Sequence, residues 1–94
     1  MEMFNPAHPG KLLKDGYIDE LNLSVAEVAL KIGVSRKTIY DILNCKSAIS
    51  PAMALKIEKA FNSDAQFWLD LQTQYDLWQA KQTVNLDNVQ VMIG

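Results

Sequence analysis

Ala29, Gly33, Val34, Ile39 and Ile42 stand at offsets of 0, 4, 5, 10 and 13 along the chain. No other feature restricts the fold as much. A small residue at 29 lets a following helix cross closely. Gly33 supplies a positive-φ turn, which residues with a Cβ resist. Val34 and Ile39 plug the angle between two helices, and Ile42 continues the inward face one turn on. Two helices joined at a steep angle by so short a turn make a helix-turn-helix, here over residues 24–44.

Start and stop signals place the other helices. Ser24 and Glu27 fit a capping box, with Val25, Val28, Ala29 and Ile32 as the face that follows. Ser35 caps the next helix and turns Ile39, Ile42 and Leu43 inward. Pro9 suits the first position of an earlier helix, where Leu13, Tyr17, Ile18 and Leu21 share a face. Gly16 inside it weakens it by about 1 kcal/mol relative to Ala, so packing must hold it. Ser50 and Pro51 open a fourth helix with Met53, Ala54, Ile57 and Phe61 in its stripe. Ser63 with Gln66 is a second capping-box pattern, opening a long helix over residues 64–81 with Trp68, Leu71, Tyr75 and Trp78 on one side. The expected core includes Leu13, Ala29, Ile32, Val34, Ile39, Leu43 and Ile57.

The fold class is therefore all-α: one small domain of five helices, residues 1–82, with a C-terminal tail, residues 83–94. In that tail Val84, Leu86, Val89, Val91 and Ile93 alternate with polar residues, which is a strand period. A lone strand cannot stabilise itself, so it must pair with another chain or stay loose.

The 94 residues sum to a formal charge of -2, which hides a segregated pattern. Residues 31–59 hold Lys31, Arg36, Lys37, Lys46, Lys56 and Lys59 against Asp41 and Glu58, a local +4 between ends of -3 each. A basic segment of this kind can meet phosphates even in an acidic chain. Arg36 and Lys37 also sit at the start of a helix, where cations oppose the dipole. An anionic partner resolves that conflict. In a helix-turn-helix the second helix enters the DNA major groove, and its N-terminal residues reach base edges. Its outward face is Arg36, Lys37, Tyr40, Asp41 and Asn44. Arg36 and Lys37 are expected to read bases, with Thr38, Tyr40 and Asn44 in support. Lys46 and Ser47 are expected to touch phosphate, and Ser24, Ser35 and Asp41 complete the candidate DNA-binding set. The alternative is an ordinary helical hairpin with a solvated basic face.

The stretches "NPAHPGKLLKD", "LSVAEVALKIGVSRKTIYDILNCKSAISPAMALKIEKAF" and "FWLDLQTQYDLWQAK" resemble the host-inhibition-of-growth antitoxins (HigA). That family belongs to the XRE-type, lambda-repressor-like helix-turn-helix proteins. The resemblance runs unbroken from about residue 5 to 81. It implies a homodimer that binds double-stranded operator DNA, represses its own operon and neutralises a cognate ribosome-dependent mRNA-cleaving toxin, with no cofactor. Two positions depart from the family pattern. Asn44-Cys45 stands where Asn-Gly is common, and Val25 stands where such repressors usually carry a phosphate-touching Gln. The alternatives in function are a stand-alone transcriptional repressor, or an interaction module without DNA binding.

Other features carry blander readings. One cysteine, Cys45, forms no internal disulfide and suits a reducing compartment. No apolar run approaches the ~20 residues of a membrane span, and residues 1–10 lack the pattern of a signal peptide. A cytoplasmic, membrane-free protein is expected. His8 has no second His to share a metal with, and more simply caps the first helix beside Pro9. Asp19 and Glu20 are adjacent and point apart on a helix, which disfavours acid–base work. No nucleophile with a neighbouring His, no phosphate loop and no metal cluster is present, so no enzyme is expected. Tyr75 and Trp78, lying past the reach of the core, and Val84 and Leu86 in the tail form the expected dimer seam.

Overall fold

A computed structural model describes residues 6–94. The signal-peptide reading, made on residues 1–10, falls partly on residues 1–5, outside the described residues. The chain forms α1 (Pro9–Leu12), which continues into a π-helical stretch (Leu13–Asp19), then α2 (Val25–Ile32), α3 (Arg36–Leu43), α4 (Pro51–Phe61) and α5 (Ala65–Thr83). Leu13, Ile18, Val28, Ala29, Ile39, Ile42, Leu43, Ile49, Met53, Ala54, Ile57 and Trp68 make one buried cluster. Ile32 and Val34, expected inside, are half-buried and pack on its edge.

Helix α1 starts as expected. Pro9 occupies the first turn, and the His8 ring Nδ1 accepts from the Gly10 N–H at 2.9 Å. Gly10 lies against α3 so closely that a Cβ there would overlap the Ile42 carbonyl. The next stretch corrects the single-face reading of residues 13–21. It is π-helical, so its bonds run i→i+5 and each turn holds more residues than an α-helix does. Leu13 and Ile18 go inside, Tyr17 packs on the cluster, and Leu21 lies past the end of the stretch, in the turn over residues 20–22, and is exposed.

The caps hold the motif. Ser24 Oγ accepts from the Glu27 N–H at 3.0 Å, while the Glu27 carboxylate lies 3.7 Å from Lys31 Nζ. Gly33 closes α2 at φ 84°, ψ 37°. Its N–H and that of Val34 both donate to the Ala29 carbonyl. Ser35 Oγ accepts from the Thr38 N–H at 3.1 Å to open α3.

Helix α3 ends in a Schellman motif: Cys45 N–H donates to the Ile42 carbonyl and Lys46 N–H to that of Asp41. Cys45 stands at φ 62°, the left-handed region. A residue with a Cβ costs about 1–2 kcal/mol there, which is the strain the Asn-Cys departure foreshadows. Cys45→Gly should raise stability by about 0.5–1 kcal/mol, the relief less the extra unfolded-state entropy of glycine. Thermal melts of the two chains under reducing conditions check this; an unchanged or lowered melting temperature would show the turn to be unstrained.

Two further expectations are corrected at α5. Its N-cap is Asp64, whose carboxylate accepts from the Gln66 N–H at 3.2 Å, and not Ser63. Ser63 Oγ is taken by the indole N–H of buried Trp68 at 3.0 Å, a bond that a buried tryptophan needs. Glu58 reaches across from α4 to the Ala65 N–H at 2.8 Å. Tyr75 does not lie past the core either. The segment before α1 extends the packed region along α5, and the Tyr75 ring meets His8 edge-on at 4.9 Å. Trp78 is half-buried.

Residues 84–94 form no strand. Their polar–apolar alternation has no neighbouring strand to bond to in one chain. Instead the Asp87 N–H bonds the Asn85 side chain and Val89 N–H the Leu86 carbonyl. All eleven residues are exposed.

Candidate nucleic-acid interface

The first turn of α3 contains no carboxylate and presents Arg36 and Lys37 directly after the Ser35 cap. Arg36, Lys37, Tyr40 and Asn44 are exposed, opposite the buried Ile39, Ile42 and Leu43. Positions 36, 37, 40, 41 and 44 thus share one helical face, as the spacing requires. Asp41 is partly covered and pairs with Lys37 at 2.6 Å. That pair is solvated, with 82% of the Lys37 side chain exposed. Exposed pairs of this geometry contribute only a few tenths of a kcal/mol. Lys37 can therefore leave Asp41 for a stronger anion.

The hydroxyls have structural work as well. Ser35 Oγ and Thr38 Oγ1 lie 2.9 Å apart, and Ser24 caps α2. Lys46 and Ser47 follow α3 in a loop that folds back on it, since the amides of both bond the Asp41 carbonyl at 2.8 and 3.1 Å. The structure thus sets Lys46 and Ser47 beside the C-terminal end of α3. Tyr75 and Trp78 lie on α5 and Val84 and Leu86 in the tail, apart from that face in the chain.

Three residues that hold the site escaped sequence reasoning in this role. Gly10 permits the close approach of α1 to α3. Gln72 on α5 bonds the Ile49 N–H at 2.9 Å. His8, expected only as a cap, also lies against the Ser47 backbone. Burial pushes the His8 pKa below its ordinary value of 6.5, against opposing effects of Asp76 and a hydrogen bond to the Ser47 backbone. A His whose folded pKa is depressed stabilises the fold above its unfolded value, and that stability is lost as pH falls through the folded value. Stability should therefore decline below about pH 6.5, and His8→Gln should flatten that part of the profile. Denaturant titrations at several pH values measure it; an identical slope in both chains would remove His8 as the cause.

Among the described residues no group of three or more His, Cys, Asp or Glu could hold a metal ion. No described helix is long and apolar enough to cross a membrane.

A capped helix carrying cations at its start, set by a glycine turn on a preceding helix, defines a helix-turn-helix domain. A family profile described as helix-turn-helix matches residues 17–68. The virulence-associated protein A of Dichelobacter nodosus is 46% identical over 81% of this chain and 76% of its own. The solved antitoxin GraA in complex with its operator superposes with a TM-score of 0.88 at 31% identity, covering 100% of this chain and 98% of that one. The Pseudomonas aeruginosa antitoxin HigA, solved with the higBA promoter, superposes with a TM-score of 0.83 at 33% identity over 95% and 100%. This chain belongs to the HigA-like, XRE-type helix-turn-helix family.

Proposed function

We propose that this chain is the antitoxin of a toxin–antitoxin pair, a two-fold dimer that represses its own operon and neutralises an mRNA-cleaving toxin. The observation that carries the reading is the outward face of α3: Arg36 and Lys37 at an acid-free, Ser35-capped helix start, exposed on a fold whose relatives are solved with operator or promoter DNA. The protein acts by binding and not by catalysis.

In this reading α3 lies in the major groove with Arg36 and Lys37 on base edges. Thr38, Tyr40 and Asn44 support them, and Asp41 holds Lys37 until DNA displaces it. Ser24 and Ser35 lie at helix starts, where backbone N–H groups favour a phosphate. Lys46 and Ser47 grip the phosphate backbone. Residues 1–82 act as the DNA-binding unit and the tail as an extension. Trp78, Val84 and Leu86, with the outer edge of Tyr75, form the dimer seam. Half-sites then fall about one helical turn apart, near 34 Å.

Arg36→Ala should relax specificity at one base pair, costing roughly 1–3 kcal/mol there. Lys46→Ala should weaken all sequences alike and flatten the salt dependence. Binding to promoter and random duplexes across a salt series separates the two. Identical behaviour of both variants would refute this division of labour. Co-expression with the adjacent open reading frame tests the antitoxin half of the reading: rescue of growth supports it, and continued arrest with intact DNA binding leaves a stand-alone repressor.

A further inference from the structure

The loop after α3 carries Lys46 and Ser47, and its shape is imposed from α3 and α5 as well as by His8 at the Ser47 backbone. From α3, the Asp41 carbonyl takes the Lys46 and Ser47 amides. From α5, Gln72 Oε1 accepts from the Ile49 N–H at 2.9 Å, across 23 positions of sequence. The other end of the same amide, Nε2, donates to Asp76 Oδ1 at 2.9 Å. That bond fixes which end of the amide faces the loop. Gln72 is 5% exposed and Ile49 2%. A buried amide is unfavourable unless its ends are bonded, and here both are. An apolar side chain of equal size would fill the space and leave the Ile49 N–H without a partner.

We propose that Gln72 is a positioning residue for DNA binding: through the Ile49 amide it holds the α3–α4 loop so that Lys46 and Ser47 meet the phosphate backbone. The proposal rests on the reading of that loop as part of the DNA face. Gln72 itself touches no DNA in this scheme. It also precedes Trp78 by six positions, about 9 Å along α5. A shift of α5 at the dimer seam therefore reaches the phosphate-gripping loop through Gln72, beside the contact of Tyr75 with His8 at the Ser47 backbone.

The test compares the wild-type chain with Gln72→Met, with the double variant Gln72→Glu plus Asp76→Asn, and with Ile57→Val. The double variant keeps an acceptor for the Ile49 amide and exchanges donor and acceptor at position 76. Ile57→Val loosens the core on α4 without altering a loop bond. Each is titrated with a duplex from upstream of its own gene and with a random duplex, over a salt series. Gln72→Met should bind the upstream duplex roughly tenfold more weakly. Its plot of log affinity against log salt should be shallower by roughly one per subunit, the signature of a lost phosphate contact. The double variant should recover most of both. Ile57→Val should keep both despite a lower melting temperature. Amide hydrogen exchange without DNA should quicken at Lys46, Ser47 and Ile49 in Gln72→Met alone. Wild-type affinity and slope in Gln72→Met, or equal losses in Ile57→Val, would overturn the proposal. A wild-type chain with no preference for the upstream duplex would overturn the repressor reading instead. The salt slope on random DNA and the loop exchange would then still decide the role of Gln72.

Discussion

Ile39→Asp should leave the domain largely unfolded in buffer. Ile39 is 0% exposed and sits where α3 meets the core cluster. The substitution removes a buried aliphatic side chain and places a carboxylate in its stead, with no cation to pair it. Loss of the side chain alone costs about 2–5 kcal/mol, and an unpaired buried charge adds to that. Domains of this size are stable by about 5–15 kcal/mol in all, so most of the margin goes. Ile39→Val, which keeps the shape and deletes one methylene, should cost only about 1 kcal/mol. Circular dichroism melts of both variants decide the matter. An Asp variant that melts with the wild type would place Ile39 outside the core and dismantle the motif.

Gly10→Ala should be destabilising by about 3 kcal/mol, a large effect for one methyl group. The added Cβ would meet the Ile42 carbonyl, a backbone atom that no rotamer change can move. Helix α1 must back away from α3, and the His8 cap on the Gly10 N–H moves with it. Gly16→Ala, a few residues on, should behave in the opposite sense. There the new Cβ approaches only Leu12 Cδ1 at 3.0 Å, the end of a flexible side chain. The gain should approach the ~1 kcal/mol by which alanine exceeds glycine in a helix. Urea unfolding of the two variants side by side tests the pair. A mild effect at position 10 would mean that α1 does not press on α3.

What the sequence determined by itself lies within a few residues along the chain. Ser24 to Glu27, Ala29 to Gly33, Ser35 to Thr38 and Ser50 to Met53 are contacts of one helical turn, so residue type and spacing suffice to read them. The outward face of α3 follows from the same periodicity once Ile39, Ile42 and Leu43 are turned in. Charge order along the chain pointed to the same helix, because Arg36 and Lys37 at a helix start call for an anion.

Tertiary structure alone decided the contacts that join distant positions: Gly10 with Ile42, His8 with Tyr75, Gln72 with Ile49. None leaves a local pattern, since each depends on how far two helices approach and at what angle. The same cause explains the misread elements. Ser63 looks like a cap until Trp68 claims its hydroxyl. Leu21 looks inward until the helical stretch ends at Asp19 and leaves it in the turn that follows. Tyr75 looks unpartnered until residues before α1 fold against it. The tail alternates like a strand, but a strand is a relation between two segments, and one chain supplies only the first.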